Sequence, residues 1–292
     1  MHLHLASVAH RCHQPQPDYR ETGGERDDQA MPLHESATEP LLLDRDGPVA
    51  TLTINRPDRL NALTYAMFTH LPKLLAEAAA MDGVRVLVLR GAGRRSFSAG
   101  ADISEFETTR STPEQAAAYD DAILKAEEAL ATFPAPTVAA VHGHCYGGGC
   151  GLAVACDLRF ADSGARFAIT PAKLGIVYPL RATKRLVDLV GPSRAKFILM
   201  SGIDLDAARA AEIGLVDEVH DDVDGAVAEL AATLAARSGV TQRAVKLTVD
   251  RILDGVSTDD ETHAALREAA LASPDYAEGV RAFLERRSPR FG

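Results

Sequence analysis

Two glycine-bearing segments hold the residues whose types and spacing could do chemistry. The first is Ser96-Phe97-Ser98-Ala99-Gly100-Ala101-Asp102-Ile103. Small side chains let the backbone come close to a ligand, and Gly admits dihedrals that other residues resist. Backbone N–H groups at such a bend can point at a developing oxyanion. The second is His142-Gly143-His144-Cys145-Tyr146-Gly147-Gly148-Gly149-Cys150-Gly151. Three consecutive glycines do not favour helix by propensity. At a helix start, however, they leave the first-turn N–H groups uncovered, where negative charge is favoured. Neither segment is a nucleotide-phosphate motif. No Gly-Lys-Ser/Thr follows the glycines, and no GxGxxG with an acidic residue about twenty positions on is present. Taken singly, each segment is read equally well as a tight turn.

Elements that could position these segments surround them. Leu41–Asp44 and Val49–Ile54 read as a hairpin closed by Asp46-Gly47-Pro48. An amphipathic helix is predicted from Asn61, with Leu63, Met67, Leu71, Leu74, Leu75 and Ala78 on one face and Pro72 inside it. Residues 84–89 read as a β-branched strand, 114–132 as a helix, 137–141 as an apolar strand and 147–156 as a Gly-rich helix. Strand at 158–161, helices at 181–190 and 195–200 and a strand at 216–219 follow. From Ala226 onward the pattern is nearly all helical. Alternating strand and helix predict an α/β, spiral arrangement rather than segregated layers. The expected organisation is a tail over 1–38, a spiral core over 39–224 and a helical C-terminal region over 225–292.

Composition narrows the function classes. The 292 residues carry a net charge of −10, with 46% hydrophobic and 25% charged residues, the balance of a globular chain. An acidic chain lacks the basic footprint of a general nucleic-acid binder, so no nucleic-acid partner is expected. No apolar run approaches the ~20 residues of a spanning helix, so no membrane partner is expected either. Four Cys, with no CxxC pair, suit a reduced, cytoplasmic setting rather than a disulfide scaffold. His2, His4, His10, Cys12 and His13 crowd the N-terminus. Without regular ligand spacing they are read as part of a disordered extension, or of residues preceding a start at Met31, and no metal site is expected.

The two glycine segments lie about 47 residues apart, each after a strand, with Asn55-Arg56-Pro57-Asp58-Arg59-Leu60-Asn61-Ala62-Leu63 upstream. In this order and spacing the sequence resembles the crotonase, or enoyl-CoA hydratase/isomerase, superfamily over about residues 40–292. The resemblance implies a core of ββα turns and a C-terminal trimerisation region, giving a homotrimer or a dimer of trimers. It implies an acyl-CoA substrate and no separate cofactor, coenzyme A entering as part of the thioester. Two amides that bind the thioester oxygen map onto Ala101 and Gly148. Arg59, Leu60 and Ala62 then lie by the adenine, and Asp102 and Ile103 continue the CoA loop. Phe283 and Arg286 match residues that reach a neighbouring subunit's CoA.

One departure concerns the reaction. The family's hydratases use two glutamates, and the matching positions here are Gly151 and Pro171. Neither can serve as an acid or base, a contribution worth about 10²–10⁴-fold. The stretch Phe167–Tyr178 resembles the branch containing methylmalonyl-CoA decarboxylase, which implies that Tyr178 contacts substrate. That branch has a histidine at the position of Ala101, which this chain lacks. Decarboxylation itself delivers an enolate and needs no base to begin. Among the remaining candidates, His144 is read as a hydrogen-bonded structural residue and Cys150 as a small buried side chain. Asp120, Asp121, Glu127 and Glu128 read as the solvated face of a helix, although the resemblance also implies that some family isomerases draw carboxylates from this region. For Lys173, Arg181, Lys184 and Arg185, surface exposure and phosphate contact are both open. Three functional readings result: thioester-enolate chemistry, decarboxylation of a malonyl-type CoA ester, and acyl-CoA binding without catalysis.

Overall fold

The computed structural model describes residues 39–292. The readings made for residues 1–38 lie outside the described residues. The hairpin β1 (Leu41–Asp46) and β2 (Val49–Ile54) leads through α1 (Tyr65–Ala80) to β3 (Val86–Gly91) and β4 (Ser96–Ser98). Helices α2 (Phe106–Thr109) and α3 (Pro113–Ala131) precede β5 (Thr137–Val141), β6 (His144–Tyr146) and α4 (Gly148–Ala155). Next come β7 (Leu158–Asp162), β8 (Arg166–Ala168), α5 (Pro171–Leu174), α6 (Leu180–Val190) and α7 (Pro192–Ser201). The core ends with β9 (Leu205–Asp206), α8 (Ala207–Glu212) and β10 (Glu218–His220). Four helices follow: α9 (Val223–Ala235), α10 (Gly239–Leu253), α11 (Glu261–Leu271) and α12 (Pro274–Leu284).

The strands form two sheets, ordered β1-β2-β3-β5-β7-β10 and β4-β6-β8-β9. Successive turns of chain give one strand to each sheet: β3 then β4, β5 then β6, β7 then β8. The pairings β3–β5, β5–β7, β4–β6 and β6–β8 are all parallel. This is the ββα spiral. The large sheet is covered on both faces, which explains its unbroken apolar runs. Leu87, Leu89, Ala139 and Val141 join the main core. Val86, Val88, Val138 and Ala140 face α9 through Val223, Val227 and Ala231.

Two differences from the sequence reading bear on the site. Helix α1 begins at Tyr65, not Asn61, because the Thr64 hydroxyl caps it by accepting from the Met67 amide. Asn61 instead lies in a left-handed turn (φ 56°). Its side chain accepts from Arg56 N at 3.0 Å and donates to Ala92 O and Ser96 O at 3.0 and 2.6 Å. It thereby ties this turn to the loop that enters the first glycine segment. The second sheet was absent from the reading, since strands of two or three residues carry too little alternation to register. The last helix, α12, begins with Pro274 behind a Ser273 cap. No helix among the described residues is long and apolar enough to cross a membrane.

Candidate active site

The two glycine segments meet. The strand β4 pairs in parallel with β6, so the loops that leave them lie side by side. Gly100 makes the close approach possible. It holds φ +94°, and a Cβ there would sit 2.8 Å from Tyr146 O and 3.4 Å from Gly148 N. Ala101 is a neighbour across the same gap: a Cβ on Gly148 would lie 3.8 Å from Ala101 N. Ala101 bridges in parallel to Leu63. Asp102 N donates to Leu63 O, and Leu63 N donates to Gly100 O. The amide between them, Ala101 N, donates to no protein acceptor among the described residues. Neither does Gly148 N, which opens α4 and so has no carbonyl within its own helix to reach. Two adjacent backbone donors therefore stand free.

They face a cavity of about 600 Å³, within the range of small-molecule sites. Its apolar wall includes Ile103, Phe106, Ile123, Ile169, Leu174 and Ile176. Among the residues marked in the sequence, Ala62, Ala101, Asp102, Ile103, Gly148 and Tyr178 line it. Arg59, Leu60, Phe283 and Arg286 do not. Leu60 is the left-handed cap of a short 3₁₀ turn over Pro57–Arg59. Phe283 borders a separate hollow of the C-terminal helices and is 84% exposed.

Asp102 is held firmly. It pairs with Arg56 at 2.9 Å and accepts the Ser104 hydroxyl at 2.6 Å. The Ser104 hydrogen bond, reinforced by Arg56, keeps its carboxyl below the usual range. Arg56 also donates to Ala62 O at 2.7 Å, so this guanidinium braces the loop. At the other end of the cavity, the Tyr146 hydroxyl donates to Asp204 at 3.1 Å and lies 3.1 Å from His144 Nδ1. His144 stands behind Tyr146 and does not line the cavity. His142 is buried and spans Asp162 and Asp224 at 2.9 and 3.0 Å, a tie between β5, β7 and α9. Cys150 is buried and also does not line the cavity.

The largest correction concerns the acidic helix. Asp121 pairs with Lys125 on the surface, and Glu128 bonds Arg185 and Arg181 at its edge. Asp120 reaches the cavity but is paired with Arg110. Glu127, read as solvated, is only 2% exposed and lines the cavity wall. Its helical position explains this: it is four residues after Ile123 and three before Leu130, on the stripe of Tyr119 and Ala126. That spacing was present in the sequence, but the neighbouring charges obscured it. Burial pushes the Glu127 carboxyl up to about 7, against the downward pull of Arg185 at 3.3 Å. Burial, and then the Glu127 charge, push the Tyr178 phenol well above its ordinary range.

Glu127 and Tyr178 converge beside Gly151. A Cβ at Gly151 would sit 2.3 Å from Glu127 Oε1 and 3.3 Å from the Tyr178 hydroxyl. Any larger residue at 151 would need the space this carboxylate occupies. Among the basic residues left open, Arg181 and Arg185 are paired with the acidic helix, and Lys184 with Asp188 and Asp254. Lys173 lines the cavity and makes no ion pair among the described residues.

Comparison with known proteins places this geometry. A sequence profile described as enoyl-CoA hydratase/isomerase matches residues 44–292. The chain belongs to the enoyl-CoA hydratase/isomerase family. A short-chain-enoyl-CoA hydratase of Clostridium acetobutylicum is 33% identical, covering 85% of this chain and 95% of its own length. The 2,3-dehydroadipyl-CoA hydratase of Escherichia coli is also 33% identical, over 86% and 98% respectively. Among solved structures, an enoyl-CoA hydratase/isomerase family protein from Hyphomonas neptunium superposes with a TM-score of 0.85 at 38% identity. That match covers 88% of this chain and 99% of the other. The family spiral is therefore the fold of residues 39–292, and the free amides of Ala101 and Gly148 lie within it.

Proposed function

We propose that this family member binds an acyl-CoA thioester and stabilises its enolate, with the thioester oxygen received by Ala101 N and Gly148 N. The observation that carries the reading is the pair of adjacent, unpartnered amides facing a mostly apolar cavity. Forming an enolate moves charge onto the carbonyl oxygen. Fixed donors aimed at that oxygen lower the barrier, each worth about 2.7–4 kcal/mol in comparable sites. The apolar wall takes the acyl chain, and Asp102 and Ile103 border the route toward the nucleotide part. Coenzyme A arrives as part of the substrate, so no separate cofactor is assigned.

The C-terminal helices support assembly into a trimer or a dimer of trimers. Helices α10 and α11 have no buried residue. Ile252, Leu271 and Leu284 are 59%, 62% and 75% exposed, an apolar surface that a second copy would cover. In such an assembly Phe283 and Arg286, remote from this chain's cavity, reach a neighbouring subunit's CoA. Light scattering during size exclusion measures the mass: a trimer or hexamer is expected, and a monomer at micromolar concentration contradicts it.

Decarboxylation of a malonyl-type ester is the second reading, favoured by the Tyr178 hydroxyl on the cavity wall. The Glu127 carboxyl beside that hydroxyl weighs against it, since a substrate carboxylate there would meet a like charge whenever Glu127 is ionised. Chromatography with mass spectrometry on enoyl-, 3-hydroxy- and malonyl-type CoA esters separates the readings. The proposal expects at least one ester to be converted. Binding of the whole panel with every ester returned unchanged would make the protein a silent acyl-CoA binder.

A further inference from the structure

The apolar wall of the cavity has one polar break. Asp120, Ile123 and Glu127 are spaced three and four residues apart on α3, and all three line the cavity. Glu127 stands beside Gly151, on the helix that Gly148 opens. Asp120 therefore lies two helical turns, about 10 Å along α3, from the wall that carries the free amides. There it meets Arg110, the C-cap of α2, at 2.8 Å. The Arg110 guanidinium carbon is 5.2 Å from the Phe106 ring centroid and 5.1 Å from that of Tyr119. Two rings and a carboxylate thus fix the guanidinium in place. Only Arg110 Nη1 and Asp120 Oδ1 are engaged with each other. Arg110 Nε, Arg110 Nη2 and Asp120 Oδ2 make no hydrogen bond among the described residues and remain accessible.

The pair is neutral as a unit, yet it offers the cavity a free donor and a free acceptor side by side. A hydroxyl group can satisfy both, because it donates and accepts at one atom. An alkyl chain would displace water from both and replace neither hydrogen bond, which carries a desolvation cost. A carboxylate would gain Arg110 but would meet Asp120 at the same place. Glu105, which accepts the Tyr119 hydroxyl at 3.1 Å, adds a second negative charge nearby. Like charges at that range oppose a further anion.

We propose that the Arg110–Asp120 pair is the specificity element of the cavity, and that it selects an acyl-CoA thioester whose chain bears a hydroxyl group several carbons beyond the thioester. This rests on the acyl-CoA reading above and names its substrate class. Arg110 donates to the hydroxyl oxygen, and the hydroxyl donates to Asp120 Oδ2. Ile123 and Phe106 pack on the carbons between the hydroxyl and the thioester. A closed site built around a substrate hydroxyl rejects the analogue lacking it by about 10⁴–10⁵-fold. The Asp120 side chain is 43% exposed, so water can still reach it when an alkyl chain binds, and the expected preference is smaller, at least about tenfold.

The test is titration calorimetry of the full chain with saturated CoA esters. Hexanoyl-, 6-hydroxyhexanoyl- and adipoyl-CoA form one series, and their eight-carbon counterparts form a second. In at least one series wild type is expected to bind the hydroxy ester at least about tenfold more tightly than the alkyl and carboxy esters. Asp120→Asn keeps the shape of the pair and removes its negative charge. It should bind the carboxy ester at least about fivefold more tightly than wild type does and leave the alkyl ester within twofold. Arg110→Leu combined with Asp120→Leu should abolish the hydroxy preference and bind the alkyl ester at least as well as wild type. Should that double variant fail to fold, Asp120→Asn still decides. A pair that only ties α2 to α3 would lower affinity for all three esters alike in Asp120→Asn, and that result would overturn the proposal. So would an alkyl ester bound within twofold of the hydroxy ester in both series, or a carboxy ester bound most tightly by wild type. Each of these outcomes leaves the acyl-CoA reading standing, because the esters bind. Failure of wild type to bind any CoA ester would remove both.

Discussion

The two walls of the cavity are built on opposite principles. One is made of backbone: β4 and β6 bring Ala101 and Gly148 together and leave their amides free. The other is made of side chains: α3 delivers Glu127, and Arg185 and Tyr178 surround it. On the first wall almost any side chain would interfere, so glycine and alanine accumulate. On the second, a single carboxylate is tolerated in a buried place because Arg185 meets one of its oxygens. Donors fixed by the fold suit a charge that appears in the same place for many substrates. A titratable side chain suits the step that differs between reactions.

Breaking the first wall should have the largest effect. Gly100→Ala places a methyl 2.8 Å from Tyr146 O at a φ of +94°. The two loops must separate, and with them the two donors. We expect a loss of roughly 100-fold in turnover, comparable to removing one oxyanion donor, and about 2 kcal/mol of stability by urea unfolding. Retention of both would mean the loops can part without disturbing the donors.

The second wall should show its character in the pH dependence of stability. Glu127 is raised from an ordinary 4.5 to about 7 in the folded chain. Its contribution is fully present below about pH 4.5 and is lost as pH rises through about 7, because the fold favours the protonated form. The full effect is about 3 kcal/mol. Glu127→Gln, which stays neutral, should therefore gain on wild type by about that amount between pH 4.5 and 8. A constant difference across that window would show that Glu127 ionises normally. The smallest effect is expected from Tyr178→Phe. It should weaken turnover of a carboxylated acyl-CoA about tenfold, if that ester is turned over at all, and spare CoA binding. Unchanged kinetics would leave Tyr178 as packing.

The same contrast decides what could be read from the sequence. The first wall was legible only in part: the glycine segments marked places where backbone could come close, but each alone read equally well as a tight turn. The family resemblance, not the glycines themselves, mapped the two amides onto Ala101 and Gly148, and the structure brings those residues together. The larger sheet was legible too, since β3 and β5 are apolar on both faces. The second sheet was not, because β4, β6 and β8 have three residues each and are held by their neighbours rather than by their own pattern. Glu127 was misread for a related reason. Its position on the stripe of Ile123 and Leu130 marks it as core-facing, yet Asp120, Asp121 and Glu128 around it make the helix look solvated. Only the packing of α3 against α4 and α6 shows which of the four carboxylates is inside. Gly151, read as a missing acid, leaves the space that Glu127 fills.

The central claim is that the Ala101 and Gly148 amides polarise a thioester carbonyl. Infrared difference spectra of a bound acyl-CoA, with and without ¹³C at the carbonyl, measure this directly and need no turnover. The account predicts that the C=O stretch moves to lower frequency on binding than in water, and that Gly100→Ala reverses most of the shift. A bound carbonyl with the frequency it has in water would contradict it.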